Sequence, residues 1–160
     1  MALKPSAAIL VVSDRVSAGA AEDLSGPALE RALEALGYEV KETATVPDDA
    51  GRVAEALRRL AASASLVLTT GGTGVSARDR TPEATLSVAE ITVPGLAEEM
   101  RRAGREKTPN AILSRGVAAV VGSALVLNLP GSPAGAVESL DAVAAVLPHA
   151  LRLLAGDTGH

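Results

Sequence analysis

"LVLTTGGTGVSARDRTPEATL", Leu66 to Leu86, decides how the rest of the chain is read. It opens on an apolar run of the kind that a central strand, covered on both faces, requires. The run stops in Gly71, Gly72 and Gly74, and Arg78, Asp79, Arg80, Thr81 and Pro82 follow closely. A strand that ends in a loop nearly bare of side chains presents its backbone. Glycine admits positive φ and close approach there, and consecutive N–H groups in such a turn form a nest for an anion. Thr70 and Thr73 add two hydroxyls. A Walker A loop would need Lys-Ser or Lys-Thr behind the last glycine, and neither is present. The dinucleotide pattern is met only loosely, by Gly72-x-Gly74-x-x-Ala77. Its helix should begin at once, yet Pro82 marks a later start. A nicotinamide-dependent oxidoreductase is the reading that this weaker match supports.

Outward from this stretch, the hydrophobic period switches repeatedly between two and 3.6, the pattern of an α/β domain. Ala7–Ser13 is expected as a buried strand. Ser25 and Pro27 open a helix with Leu29, Leu33 and Leu36 on one face, and Gly37 ends it. Tyr38–Val46 alternates as a more exposed strand. Asp48 or Asp49 caps a second helix, reaching about Ala62 and burying Val53, Leu57 and Leu60. Thr81 caps a short helix, and a charged amphipathic helix runs from Leu96 to Arg105. "GVAAVVGSALVLNLPG" reads as two antiparallel strands turning at Gly122-Ser123. A last helical region starts at Ser132-Pro133, and Pro148 breaks it. The expected fold is one α/β domain over residues 1–160, a three-layer αβα arrangement whose mostly parallel sheet carries an antiparallel strand.

Composition narrows the chemistry. A chain of 160 residues buries roughly 70% of its unfolded surface without staples. Zero Cys removes thiolate chemistry and sulfur-bound zinc. One Tyr, with no Phe or Trp, cannot build stacking platforms for single-stranded nucleic acid. A net charge of −4 also argues against gripping a phosphate backbone. His149 and His160 both sit near the carboxyl end, which disfavours histidine acid–base chemistry. The apolar run Ala7–Val12 is too short for a signal core or a membrane span. A soluble cytoplasmic protein, without membrane or nucleic-acid partners, is expected.

Open α/β sheets bind ligands beyond the carboxyl ends of their strands. Four such ends carry polar or glycine-rich loops: "SDRVSAG", "VPDDA", "TTGGTGVSARD" and "NLPGSPAG". Asp48 and Asp79 fall in two of them, and paired carboxylates beside a polyphosphate hold Mg²⁺ or orient a reacting group. Asp48 reads equally as a helix cap. Arg15, Arg78, Arg80 and Arg115 form a candidate positive patch in an acidic chain. Asn128 ends a strand just before Ser132, the cap of a helix whose amino terminus also favours anions.

These segments together resemble the molybdopterin adenylyltransferase family, the MogA/MoaB-type domain of molybdenum cofactor biosynthesis. The resemblance rests on Ser13 to Leu29, Val46 to Asp49, Leu68 to Thr85, Ala111 to Arg115 and Asn128 to Pro133. It implies a homo-oligomer, trimer or hexamer, with contacts to other proteins of that pathway. It implies the substrates ATP and molybdopterin, giving adenylyl-molybdopterin and pyrophosphate with Mg²⁺. By motif position it makes Asp48 and Asp79 the essential aspartates and the metal candidates. On the nucleotide side it puts Thr70, Gly71, Gly72, Thr73, Gly74, Arg78, Thr81, Pro82 and Glu83. On molybdopterin it puts Ser13, Asp14, Ser114, Arg115, Asn128, Pro130, Gly131 and Ser132. With aromatics nearly absent, a pterin must be held by hydrogen bonds rather than stacking. A non-catalytic molybdopterin-binding paralogue is the alternative.

Overall fold

A computed structural model describes residues 3–159, so His160 lies outside the described residues. Six strands form one sheet in the order β2-β1-β3-β6-β5-β4. They are β1 (Ser6–Val12), β2 (Glu39–Val46), β3 (Leu66–Thr70), β4 (Ile91–Thr92), β5 (Ala118–Val121) and β6 (Ala124–Leu129). β2, β1, β3 and β6 run parallel, and β5 alone runs against the others, pairing with β6 and β4. Helices α1 (Asp14–Ser17), α2 (Ser25–Ala35), α3 (Ala50–Ala61), α4 (Thr81–Val88), α5 (Pro94–Arg105), α6 (Pro133–Val143) and α7 (Leu147–Leu154) complete the chain, with a 3-10 turn at Pro109–Leu113.

Strand alternation splits the core in two. Ile9, Val11, Leu66, Leu68, Leu127 and Leu129 face the layer of α2, α5, α6 and α7. Ala8, Leu10, Val12, Val67 and Val126 face α3 and α4. The expected three layers are present. β3 and β6 are buried along their whole length, because each has a paired strand on both sides and a helical layer on each face. β2 is an edge strand that carries the Lys41–Glu39 and Arg59–Glu42 ion pairs, the charged dressing that keeps an open edge from pairing with another chain.

Three expectations need correction. Leu36 is not on the buried face of α2 but is 42% exposed, whereas Leu29 and Leu33 are fully buried. α2 ends at Ala35 and the chain turns through Gly37 at φ +92°, so the stripe stops one turn early. Thr81 does not cap α4. Arg80 holds the cap position with no side-chain bond, and the Thr81 hydroxyl is used elsewhere. The helical region does break, but ahead of Pro148: α6 ends at Val143, α7 starts at Leu147 bent 70° from it, and Pro148 sits in the first turn of α7. The short β4 and the 3-10 turn carried no periodic signal at all. No single helix among the described residues is long and apolar enough to cross a membrane.

The two leucines separate by mutation. Leu33→Ala should cost about 2–5 kcal/mol of unfolding free energy, and Leu36→Ala no more than about 0.5 kcal/mol, read from urea denaturation midpoints. Equal losses would show that Leu36 is buried in solution.

Candidate functional site

The strand order reverses at β1 and β3. From β1 the chain leaves for α2 on one face, and from the adjacent β3 it leaves for α4 on the other. Their carboxyl ends are level, with Val11 opposite Thr70, and a crevice opens where the two connections diverge. Into it come Ser13 and Asp14 after β1, Pro47 and Asp48 after β2, the glycine loop after β3 and Pro130-Gly131-Ser132 after β6.

Gly71 and Gly72 hold φ +101° and +69°. A Cβ on Gly71 would strike the Val12 carbonyl, and one on Gly72 would strike the Thr81 hydroxyl and sit 3.1 Å from Asp48 Oδ1. Gly71 N–H continues the sheet, donating to Leu129 O at 3.2 Å. From there the loop's oxygens are fixed one by one. Gly71 O accepts from Thr81 Oγ1 at 3.0 Å and Gly72 O from Thr81 N at 3.1 Å. Thr73 O accepts from Arg115 N at 2.8 Å and Gly74 O from Arg115 Nε at 2.7 Å. In a planar trans peptide the N–H points opposite the C=O. Each fixed oxygen therefore aims the next residue's N–H away from it. The N–H groups of Gly72, Thr73, Gly74 and Val75 find no acceptor among the described residues. Buried main-chain donors are nearly always paired, so four consecutive donors without a protein acceptor, at the rim of a crevice, are open to water or to a bound anion.

Two carboxylates flank this loop. Asp49, not Asp48, caps α3 by accepting from Arg52 N at 2.9 Å, which releases Asp48 for the crevice. Asp48 is held by a reciprocal pair, its Oδ2 accepting from Asp14 N at 3.0 Å and its N–H donating to Asp14 Oδ1 at 2.9 Å. Asp79 Oδ2 accepts from Ser76 N at 3.0 Å and would lie 2.9 Å from a Cβ on Gly74. Neither Oδ1 accepts a bond from the described residues. Burial, and then the negative charges of Asp14 and Asp79, push the Asp48 carboxyl above its ordinary range. The two aspartates thus share one electrostatic environment on the same side of the molecule. Among the described residues no group of three or more His, Asp or Glu converges on a metal position. The donor set fits Mg²⁺, which is commonly bound through one or two carboxylates plus substrate phosphate.

The arginines are mostly committed. Arg78 grips Asp14 bidentately, at 3.0 Å through Nε and 2.8 Å through Nη2 to the same oxygen, with a further Nη2 bond at 2.9 Å to the other. The Asp48 backbone N–H, and then Arg78, hold the Asp14 carboxyl below its ordinary range. Arg115, expected on molybdopterin, turns inward. Besides Gly74 O it bonds Asp79 O at 2.9 Å through Nη2, and it pairs with Glu83, which lowers the Glu83 pKa. Arg15 is exposed, and Arg80 only approaches Glu83, at 3.9 Å.

Asn128 also turns inward. It is 3% exposed, its Oδ1 accepts from Val117 N at 3.1 Å, and its Nδ2 donates to Thr69 at 3.1 Å and Thr85 at 3.0 Å. The Thr70 hydroxyl is no free donor either. It staples Pro130 O at 2.7 Å, as Ser25 Oγ staples Gly131 O at 2.7 Å. These staples bring the β6 loop against the glycine loop, so that a Cβ on Gly131 would lie 3.4 Å from Gly71 Cα. Ser132 caps α6 by accepting from Gly135 N at 3.1 Å, and Ser13 caps α1 by accepting from Val16 N at 3.2 Å. Pro82 and Glu83 lie in the first turn of α4. The helix that a dinucleotide loop needs directly after Gly74 does not begin until Thr81.

Two cavities meet at Gly131. The larger, about 290 Å³, is lined by Thr73, Gly74, Arg101, Asn110, Ser114, Gly116, Asn128 and the Pro130–Ser132 loop. The other, about 250 Å³, runs along Ser13, Asp23, Ser25, Thr70 and Gly71. Arg101 was not singled out in the sequence. It stands one turn after buried Ala97 and beside buried Met100, on the packed side of α5, where it donates to Ser114 O at 3.3 Å and Gly116 O at 2.8 Å and forms a wall of the larger cavity. The charges of "EEMRRAGRE" mask it, although its spacing of four from Ala97 marks the packed side.

A family model described as "Probable molybdopterin binding domain" matches residues 8–149. The chain is 43% identical over 140 residues to a molybdopterin adenylyltransferase of Escherichia coli K12, covering 84% of this chain and 71% of that protein. It is 38% identical over 151 residues to a molybdenum cofactor biosynthesis bifunctional protein of Synechococcus elongatus. That match covers 94% of this chain, which spans about half (47%) of the bifunctional protein. The crystal structure of a molybdopterin biosynthesis enzyme MoaB from Thermus thermophilus superimposes with TM-score 0.90 at 49% identity, covering 96% of this chain and 98% of that one.

The Arg78–Asp14 contact has a titration consequence. Asp14 ionises below the unfolded value of about 3.9, so its share of stability is complete above that value and is lost as pH falls through its folded pKa. In Arg78→Ala the Asp14 midpoint should move up toward the ordinary range and this acid-side loss should shrink. Carboxyl ¹³C NMR titration reads it directly, and an unmoved midpoint would refute the contact.

Proposed function

Because the chain belongs to the molybdopterin-binding domain family, we propose that it is a molybdopterin adenylyltransferase of molybdenum cofactor biosynthesis. A phosphate oxygen of molybdopterin attacks the α-phosphorus of ATP. The new P–O bond forms as the bond to the β-phosphate bridging oxygen breaks, and pyrophosphate leaves with that electron pair. The observation that carries this reading is the run of four acceptor-free N–H groups, Gly72 to Val75, beside the free carboxylate oxygens of Asp48 and Asp79.

In this reading the loop's N–H groups bind phosphate oxygens and stabilise the charge that builds on them in transfer. Such donors work well because they are already aimed before the reaction begins. The larger cavity takes molybdopterin through Ser114, Asn110 and the backbone of Pro130–Ser132, consistent with a site that has no aromatic platform. Arg78 can release Asp14 for a phosphate, since the pair is exposed and a second anion would compete for the same guanidinium fork. Mg²⁺ brought with the nucleotide would be held by Asp48 and Asp79 and would supply charge neutralisation. The remaining work, holding two phosphates in line, is positioning.

The test is pyrophosphate release from ATP, Mg²⁺ and molybdopterin. Asp79→Asn and Asp48→Asn should each lower turnover by about a hundredfold or more with an unchanged unfolding midpoint. Wild-type turnover in both variants would remove the aspartates from the reaction. Molybdopterin binding without pyrophosphate release by the wild-type chain would make this a binding protein instead.

A further inference from the structure

Arg115 lies 41 residues beyond Gly74, yet it makes more bonds to the glycine loop and its surroundings than any residue within the loop. Its main-chain N–H fixes Thr73 O, its Nε fixes Gly74 O, its Nη2 fixes Asp79 O and its Nη1 pairs with Glu83. Glu83 stands in the first turn of α4 and anchors the guanidinium from the side away from the loop carbonyls. We infer that Arg115, braced by Glu83, is the positioning residue that aims the Val75 N–H and sets the place of Asp79. Its backbone meanwhile aims the Gly74 N–H. This inference rests on the adenylyl-transfer reading for its catalytic consequence, but not for its structural one.

The chemistry requires arginine specifically. The Gly74 and Asp79 carbonyls and the Glu83 carboxylate must be met by one planar group with donors on separate edges. A guanidinium offers five N–H donors in a fixed fork, whereas an ammonium is a point charge on a flexible stem. Lysine would preserve the charge and lose the fork. A residue that bound substrate phosphate by charge alone would tolerate that exchange. A residue that orients peptide planes would not. Arg115 is also absent from the lining of the larger cavity, although its neighbours Ser114 and Gly116 are part of it. Its loss should therefore reach the pterin side only through Thr73 and Gly74 and strike the transfer step most.

The experiment compares Arg115→Lys, Arg115→Ala and Glu83→Gln. Two measurements are made on each: ¹⁵N order parameters of the ligand-free chain, and steady-state pyrophosphate release. Rigid backbone gives order parameters near about 0.85, and flexible backbone below about 0.6. Residues 73–79 should fall toward the flexible value in both Arg115 variants while β1, β3 and β6 stay rigid. Glu83→Gln should give a smaller drop. Turnover should fall about a hundredfold in Arg115→Lys and Arg115→Ala alike, a larger change than any in the KM for molybdopterin. A merely structural role would lower the unfolding midpoint and move that KM as much as turnover. Wild-type turnover in Arg115→Lys, or an ordered loop in both Arg115 variants, overturns the inference. Should the wild-type chain release no pyrophosphate, the adenylyl-transfer reading fails, and the order parameters alone still decide whether Arg115 holds the loop.

Discussion

The planarity of the peptide bond is the constraint on which this site depends. Once a carbonyl oxygen is held, the N–H across the same plane has one direction left. Here two residues, Thr81 and Arg115, hold four successive oxygens of the loop that follows β3. The result is a row of donors supplied by main chain and supported by side chains, with the supporting groups turned away from the ligand's side. An acidic chain with one aromatic residue can present such a surface because neither net charge nor ring stacking is asked to supply it.

That device works only at one place in the fold. Parallel pairing of β2, β1, β3 and β6 brings four strand ends to one rim, and the reversal between β1 and β3 opens the crevice there. The loop is then tied into the sheet by a chain of polar contacts. Thr81 bonds Gly71 O, Thr85 bonds Thr81 O, and Asn128 reaches both Thr85 and Thr69. These groups are buried, and each has a partner, which makes such a network a rigid support rather than a liability. Electrostatics follow the same division. Asp14 is paired with Arg78 and Glu83, through Oε1, with Arg115, so among the described residues the carboxylates beside the loop without an ion-pair partner are Asp48 and Asp79.

The family likeness and the position of the strand-end loops were both legible in the residues. The glycine run, the paired aspartates and the strand-end loops are contiguous motifs, so spacing alone exposes them. The match over residues 8–149 and the superposition on the Thermus enzyme agree with that reading of the fold. The roles of Arg115 and Asn128 were not legible. Both sit in loops that point to a ligand by composition, and both are turned inward by partners far along the chain, Glu83 at 32 residues and Thr69 at 59. Arg101 was hidden for a different reason, as one charge among several on α5, whose packed side it shares with Ala97 and Met100.

By itself the sequence determined the layers, the order of elements and the exposure of backbone behind β3, because hydrophobic period and glycine act locally. It left open which aspartate caps α3, and it placed Thr81 at a cap it does not form. Tertiary structure decided both. Asp49 took the α3 cap and left Asp48 facing the loop, while Arg80 took the cap position of α4 and the Thr81 hydroxyl donates to Gly71 O. A side-chain donor goes to the best acceptor within reach, and reach is a property of the folded chain, not of spacing along it.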